Sequence, residues 1–551
     1  MKVVSSGFST ADRRYATMVL MQRGDALDLA RLAEAARERL GDHESVVYEG
    51  RVYRSGSLYD RAVRLGAGLT ALGVAPGDRV VVLMANCPEV TVTYQAVWRA
   101  GGVVTPVMFL VGPDELGHIL ADSDAEVVVT SRELVNTVAW AAPAAPGLRH
   151  VVLADEPEGE RPQLPSSVRL TTLAEVEAAE PAGLCTRDDD ALAALLYTGG
   201  TTGRAKGVML SHRNLQACAR SGYAAAHAEG LTDDLTRTLM PLPLSHAYGL
   251  IVTLIGWHAV QPQLAVLQRW FDPGQWVELA DRHRVQRTTL VPSMLQMLLA
   301  QPLEQADLSE LRYVTSGAAP LPPETRAAWE ARVPGCHIME GYGCTESGAV
   351  ISATRPGRER PGSVGEPLPE FEVEIRDDEG RQVPVGGAGE ICVRSAGVMR
   401  GYWRSPELTS RTVRDAWLYT GDIGRLDADG FLYVVDRKKD VILRGGFNVY
   451  PRDVEDVLLG HPAVASAGVV GRPDERLGEE VVAYVTLRPE ASVGADELTE
   501  HCRGRLAAHK YPRQIEVLEQ LPLTAVGKLD RKALRGMARA PRDEAGTADP
   551  V

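Results

Sequence analysis

The stretch Leu195–Ser211, LLYTGGTTGRAKGVMLS, opens on apolar residues, passes through glycines and hydroxyls, sets Lys206 beside Gly207 and returns to an apolar run. That order predicts a strand, a polyphosphate-binding loop and a second strand. Gly199, Gly200 and Gly203 let backbone N–H groups approach phosphate oxygens, and Thr198, Thr201 and Thr202 add hydroxyl donors, so the loop can surround anionic charge. Lys206 then supplies a point charge. The residue after the lysine is Gly, not Ser or Thr, which separates this loop from the P-loop of kinases and GTPases. The competing reading is a surface hairpin rich in turn residues.

Around this loop the bulk numbers set limits. A chain of 551 residues exceeds what one hydrophobic core supports, so at least two domains are expected. The net charge of -14 argues against a protein devoted to nucleic acid or an anionic membrane, both of which reward a basic surface. An anionic ligand therefore needs local basic residues, and the loop offers them. The 7 cysteines are scattered, without paired metal-ligand spacing, as expected of reduced thiols in a cytoplasmic protein. The first twenty residues lack the uninterrupted apolar core of a signal peptide. The longest apolar-leaning segment, Ala247 to Val260, is too short to span a bilayer.

Upstream, residues 26 to 150 alternate helical and strand patterns. Leu58, Ala62, Leu65, Leu69 and Leu72 recur at helical spacing, Pro76 and Gly77 break the helix, and Arg79 to Met84 reads as a buried strand. Asp114 to Leu120 and Glu126 to Ser131 repeat the order, which predicts an open, mostly parallel α/β sheet. Gly66, Gly68 and Gly73 have the wrong spacing for a dinucleotide fingerprint and are read as helix packing. Residues 156 to 190, rich in Pro, Glu and Asp, read as a solvent-facing connection.

Downstream, Met240 to Leu250, MPLPLSHAYGL, places His246 in a loop where it either lines a pocket or satisfies local backbone groups. Arg287 to Val291 reads as a strand and Pro292 to Leu299 as a helix whose Met294 and Met297 are expected to fill core. Tyr313 to Leu321 is a strand entering a small-residue turn at Gly317, Ala318 and Ala319, a candidate nucleotide wall because open α/β sheets bind ligands at strand carboxyl ends. Glu340 to Ser347, EGYGCTES, is another strand-end turn, where Glu346 is either a Mg²⁺ ligand bridging phosphates or a capping residue. From Phe371 to Val393 short alternation predicts a β-rich subdomain. Asp422, in WLYTGD, could take both ribose hydroxyls or simply sit in a turn. In Phe431 to Glu455, Asp436, Arg437, Lys438 and Lys439 lie between apolar strands ahead of a Gly445-Gly446 turn, compatible with a hinge. A small α+β domain follows, with helices Pro451 to Gly460 and Ala495 to Leu506 and strands Ala465 to Val470 and Val481 to Leu487. Lys528 lies on a turn in its closing segment, and the tail beyond about Ala540 is expected to be disordered.

With YTGGTTGRAKG, PLPLSHAYG, GYGCTES, WLYTGD, DRKKDVILRGGFNVYP and PLTAVGKLDRKALR in this order, the chain resembles the adenylate-forming superfamily from about Leu29 to Arg535. That superfamily holds acyl- and aryl-CoA synthetases, peptide-synthetase adenylation domains and firefly luciferase. The resemblance implies a large domain over 1–437, a small mobile domain over 438–540 with its hinge near Lys439, and a tail over 541–551. It implies that a carboxylate attacks the α-phosphorus of ATP to give an acyl-adenylate, and that a thiol then takes the acyl group as AMP leaves. In that scheme Thr198 to Lys206 hold the β- and γ-phosphates, Glu346 holds Mg²⁺, Thr345 the α-phosphate, and Asp422 with Arg437 the ribose. Tyr342, flanked by Glu340, Gly341 and Gly343, stacks on adenine. Lys528 bridges carboxylate and α-phosphate, and Gly445 and Gly446 line the pantetheine tunnel once the small domain has swung about Lys439.

Ala205, Gly199 and Ser245 depart from the superfamily's usual Pro, Ser and aromatic at those positions. Ser245, His246 and Ala247 lack the acid that peptide-synthetase domains use to anchor an amino group, so an acyl- or aryl-CoA synthetase is the leading expectation. Leu250, Met294, Ala349, Val350 and Ile351 suggest a hydrophobic acid. The alternative is a ligase loading the phosphopantetheine of an acyl carrier protein, which carries the same thiol as CoA. A dimer is compatible with the sequence, which carries no oligomerisation signal.

Overall fold

The computed structural model describes residues 27–155, 162–199, 204–227, 233–489, 491–523 and 529–539. Gly200, Thr201, Thr202, Gly203 and Lys528 lie outside the described residues, as do the expected tail and the segment examined for a signal peptide. The chain gathers into two compact units. One is built from the chain up to Glu374 together with Cys392–Thr420 and Asp427–Leu432; the other takes Ile375–Ile391, Gly421–Leu426 and the chain from Tyr433 onward.

The first unit contains an eight-stranded sheet. From edge to edge its strands are Gly401–Tyr402, Lys206–Ser211, Leu192–Thr198, Val103–Pro106, Arg79–Leu83, Val127–Thr130, His150–Leu153 and Arg169–Thr172. From Leu192–Thr198 to Arg169–Thr172 every neighbouring pair is parallel. Val80 to Val82, Val127 to Val129, Val151 and Val152 have almost no accessible surface, as parallel strands covered on both faces require. The expected helix runs over Ser55–Ala71. Gly66 and Gly68 do serve packing, a Cβ on Gly68 lying 2.1 Å from the Val176 carbonyl oxygen, whereas Gly73 lies past the helix end at φ +99° with no atom near its Cβ position and serves the turn.

Residues 156 to 190 are more than a solvent-facing connection. Arg169–Thr172 adds the edge strand, and the helix Leu173–Glu177 starts from a capping box in which Thr172 and Glu175 each bond the other's backbone N–H. The acids and prolines of this stretch dominate its composition and hide that short signal.

A second sheet in the same unit has nine strands in the order Glu366–Pro367, Ser352–Ala353, His337–Tyr342, Tyr313–Ser316, Arg287–Leu290, Arg237–Met240, Leu264–Leu267, Glu44–Tyr48 and Arg51–Arg54. The six strands from His337–Tyr342 to Glu44–Tyr48 are parallel, with antiparallel edges. Its parallel strands end at the Gly317 and Tyr342 turns, where ligands bind in open α/β sheets. Helix Pro292–Leu299 forms as expected, but only Met294 packs against the core; Met297 is 48% exposed, because at helical spacing it lies with the exposed Gln296 and Ala300 on the face turned away from the buried Leu295 and Leu298. Ala247–His258 is a helix, and no helix among the described residues is long and apolar enough to cross a membrane.

Glu372–Arg376 and Gly389–Arg394 are strands, as the short alternation predicts, and Trp417–Leu426 and Leu432–Arg437 extend the same sheet beyond it. In the second unit, Val464–Asp474 and Gly478–Leu487 form a long antiparallel hairpin; Ile442–Arg444, itself paired with Phe447–Val449, and Gln514–Val517 both join it along the free edge of Gly478–Leu487. The hairpin is longer than its apolar segments because the strands continue through the polar GRPD and GEE residues. Val469, Val481, Ala483 and Val485 pack against helices Pro451–Leu459 and Ala495–Arg503.

Candidate active site

Strands Leu192–Thr198 and Lys206–Ser211 are antiparallel partners, with Thr198 opposite Lys206, so the ends of the Gly-rich loop are clamped inside an eight-stranded sheet. Both strand ends are tethered: the Tyr197 hydroxyl donates to Asp122 Oδ2 at 2.6 Å, and His118 Nε2 donates to the Ala205 carbonyl at 3.0 Å. Trp403 N–H donates to the Gly207 carbonyl at 2.7 Å. Gly207 has no room for a side chain, since a Cβ would lie 2.8 Å from Leu195 Cδ1.

Thr345, Glu346 and Ser347 form a single 3₁₀ turn after strand His337–Tyr342. The Ser347 hydroxyl donates to the Cys344 carbonyl at 2.9 Å, and the chain leaves through Gly348 and Ala349, both at positive φ. Gly343 makes this tight reversal possible: a Cβ there would sit 2.1 Å from the Ala349 carbonyl oxygen. Glu346 is fixed at both ends, its carbonyl accepting from Met399 N–H at 2.8 Å and its Oε1 accepting from the Tyr402 hydroxyl at 2.8 Å. Lys206 Nζ lies 5.9 Å from the centroid of the same Tyr402 ring. Burial, then the Glu346 carboxylate, push the Tyr402 phenol well above its ordinary range, so it remains a donor.

Elsewhere in this unit, Ser316 pairs with Glu340, and Gly317 lies so close to Gly341 that a Cβ would be 2.9 Å from its carbonyl oxygen. Ala318 holds φ +68°, and Ala319 is exposed. Glu340 is paired with Arg326 at 2.8 Å, a bond between strand and helix, while Tyr342 keeps accessible surface at the end of the same strand. His246 caps helix Ala247–His258, its Nδ1 accepting from Tyr248 N–H at 3.3 Å. Asn86 holds the preceding loop, donating to the carbonyls of Leu242 (2.9 Å) and Gln268 (3.1 Å) and accepting from Leu244 N–H (2.8 Å). Of the five pocket candidates, Leu250 and Ile351 are fully buried, whereas Met294, Ala349 and Val350 keep accessible surface.

In the second unit Asp422, 9% exposed, lies 3.5 Å from Arg437 Nε. Lys438 Nζ is held by Asp378 at 2.8 Å and Glu390 at 3.0 Å. Lys439 follows on an exposed 3₁₀ turn, its pKa lowered by partial desolvation and by Arg437. The turn is held from beneath: buried Asp440 pairs with Arg535, and Asp436 accepts from the N–H groups of Arg437 at 2.7 Å and Arg452 at 3.0 Å. Burial raises the Asp436 carboxyl to about 6. Gly445 and Gly446 make a positive-φ turn between Ile442–Arg444 and Phe447–Val449.

The family model for the AMP-binding enzyme matches residues 32–403, and that for its C-terminal domain matches residues 453–528. The chain belongs to the AMP-binding enzyme family. This AMP-binding enzyme is thus a member of the adenylate-forming superfamily. It is 37% identical over 506 residues to a feruloyl-CoA synthase of Amycolatopsis sp., covering 91% of this chain and 97% of that protein. It is 33% identical over 520 residues to a long-chain-fatty-acid–CoA ligase of Bacillus subtilis, covering 90% and 92%. Among solved structures, that of the anthranilate CoA ligase AuaEII in complex with anthranoyl-AMP superposes with TM-score 0.85 at 28% identity, covering 93% of this chain and 98% of the other.

In this AMP-binding enzyme the residues present fit a hard divalent cation beside the end of strand Lys206–Ser211. Oε1 of Glu346 is taken by Tyr402, Oε2 has no partner among the described residues, and carboxylate oxygen suits Mg²⁺. Tyr402 and Asn86 were not singled out from the sequence. Tyr402 sits in a strand only two residues long, Gly401–Tyr402, which carries no alternation; Asn86 works through backbone groups more than a hundred residues away.

Proposed function

We propose that this AMP-binding enzyme is an acyl-CoA synthetase: it activates a hydrophobic carboxylic acid, fatty or aryl, with ATP and transfers the acyl group to CoA, releasing AMP and pyrophosphate. The observation that carries the proposal is the group Lys206, Tyr402 and Glu346, which sets a cation and a held carboxylate at the mouth of the Gly-rich loop. The relatives support it, being CoA ligases that differ in their acids.

A carboxylate is a poor electrophile, and the mixed anhydride with AMP supplies a leaving group. Most of the enzyme's task is then positioning and charge stabilisation. Lys206, with donors from Thr198 to Gly203, receives the departing pyrophosphate. Bound Mg²⁺, held by Glu346, would neutralise phosphate charge. Tyr342 and the Gly317–Ala318 turn form the adenine wall, and Asp422 with Arg437 takes the ribose. Lys528 brings the substrate carboxylate and the α-phosphate together. After adenylation the small domain turns about Lys439, and the Gly445–Gly446 turn lines the path of the CoA thiol. Seven cysteines, none of them in a disulfide, favour a cytoplasmic setting.

The test is a panel of carboxylic acids assayed for pyrophosphate release with and without CoA. Acyl-CoA formation with at least one acid is expected. An acyl-adenylate that accumulates with CoA present, and is discharged only by a phosphopantetheinylated carrier protein, would replace CoA as the acceptor. Absence of pyrophosphate release with every acid would overturn the proposal.

A further inference from the structure

The sheet face beneath the His246 helix is polar and incompletely packed. On strand Arg287–Leu290, Thr288 and Leu290 are buried on the core side, while Arg287 and Thr289 point the other way and keep accessible surface. Strand Tyr313–Ser316 beside it repeats the pattern, with Val314 and Ser316 buried and Thr315 accessible. Tyr248, two residues past His246, reaches this face, its hydroxyl 3.4 Å from Thr289 Oγ1. Arg287 lies two residues deeper on the same face. At about 3.3 Å of rise per residue it sits roughly 10 Å below the strand's carboxyl end at Leu290.

Among the described residues the guanidinium of Arg287 has only neutral hydrogen-bond partners. Its Nε donates to Thr238 Oγ1 at 2.7 Å and its Nη2 to Gln263 Oε1 at 2.9 Å. An arginine carries five N–H donors, so most of them meet no protein acceptor among the described residues. No carboxylate among those residues lies within ion-pair distance of it. Asp233 acts electrostatically on Tyr223 and His227, and the groups that act on Arg287 are the phenols of Tyr223 and Tyr248. A cation removed from bulk water without a counter-charge is costly, and a planar guanidinium suits a bidentate anion.

We propose that Arg287 closes the inner end of the acyl pocket and selects acids with a second anionic group, a carboxylate or sulfonate, at the end remote from the reacting carboxyl. The inference rests on the acyl-CoA synthetase reading and refines its hydrophobic acid to one with an apolar body and a charged far end. Met294, Ala349 and Val350 contact the body, Tyr248 passes beside it, and Arg287 takes the terminal anion through its unused N–H groups.

The experiment measures kcat/KM for straight-chain dicarboxylic acids from glutaric to sebacic, each against the monocarboxylic acid of equal carbon count, by pyrophosphate release with CoA present. The wild-type enzyme should favour one diacid over its monoacid by about a hundredfold, mostly in KM, the order of the cost of leaving a buried donor without its acceptor. Arg287→Met should lower that ratio at least tenfold. Arg287→Lys should retain part of it, because a point charge remains. A ratio of rates in one preparation is independent of how much of it is folded, and if Arg287→Met fails to fold the wild-type ratio decides alone. Turnover of monoacids with no preference for any diacid would overturn this inference and leave the synthetase reading standing. No turnover of either set or of aryl acids would overturn the synthetase reading itself.

Discussion

Tyr402→Phe removes the oxygen atom that joins the Glu346 carboxylate, and the Thr412 side chain, to the ring beside the Gly-rich loop. The phenol donates to Glu346 Oε1 at 2.8 Å and is 8% exposed, so no water stands ready to replace it. A hydrogen bond to an ionised acceptor contributes about 1.5–3 kcal/mol net. The Met399 N–H bond still holds the Glu346 backbone, and the carboxylate keeps partial exposure, so the low end applies. About 1.4 kcal/mol corresponds to roughly a tenfold loss in the rate of adenylation. The ring remains, and its packing beside Lys206 with it, so the melting temperature should fall by no more than a few degrees. The assay is ATP–pyrophosphate exchange at a series of Mg²⁺ concentrations, alongside Mg²⁺-dependent binding of a non-hydrolysable ATP analogue by calorimetry. Half-saturation in Mg²⁺ should move upward in both measurements, because a carboxylate free to rotate must be ordered by the metal. A wild-type rate and wild-type Mg²⁺ dependence in the folded variant would refute the reasoning, since Glu346 would then need no partner.

Gly343→Ala places a Cβ 2.1 Å from the Ala349 carbonyl oxygen and must displace the Thr345–Ser347 turn by close to an ångström; exchange should drop about a hundredfold, and a loss below threefold would show that the turn yields. Asp436→Asn addresses the base of the hinge turn. The folded carboxyl titrates at about 6, above its ordinary 3.8, so its contribution to stability is complete below about pH 4 and is lost as pH rises through 6. The unfolding free energy of the wild type from urea titration, relative to Asp436→Asn, should therefore fall between those values by an amount on the order of 3 kcal/mol, and parallel pH profiles would exclude the assignment. Lys439→Pro should spare adenylate formation and block thioester formation, whereas equal loss of both steps would reject the hinge. Lys528→Ala should keep the fold and lose adenylation by several powers of ten, and wild-type exchange would refute its role.

How much of this could be read from the residues depends on the range over which each signal acts. The Val-rich strands, the Ser55–Ala71 helix and the strand–loop–strand around Lys206 are written in local periodicity, and the structure reproduces them within a few residues. Glycines with a steric reason, such as Gly68 and Gly343, stand out by composition, although the atoms that forbid a side chain lie far along the chain at Val176 or only after the turn has closed at Ala349. Tyr402 and Asn86 were invisible because each works by crossing between segments, and a pairwise contact leaves no periodicity. The same limit governs the acid pocket. Leu250 and Ile351 look like pocket wall in the sequence and are packed interior in the fold, because an apolar residue satisfies either environment. Arg287 reads as the start of an ordinary strand, and what distinguishes it is a shortage: two neutral acceptors and, among the described residues, no acid within ion-pair distance. Shortages are defined only once every neighbour has been placed, which is why the reaction class can be read from motifs while the substrate has to be read from the charge that the fold leaves unbalanced.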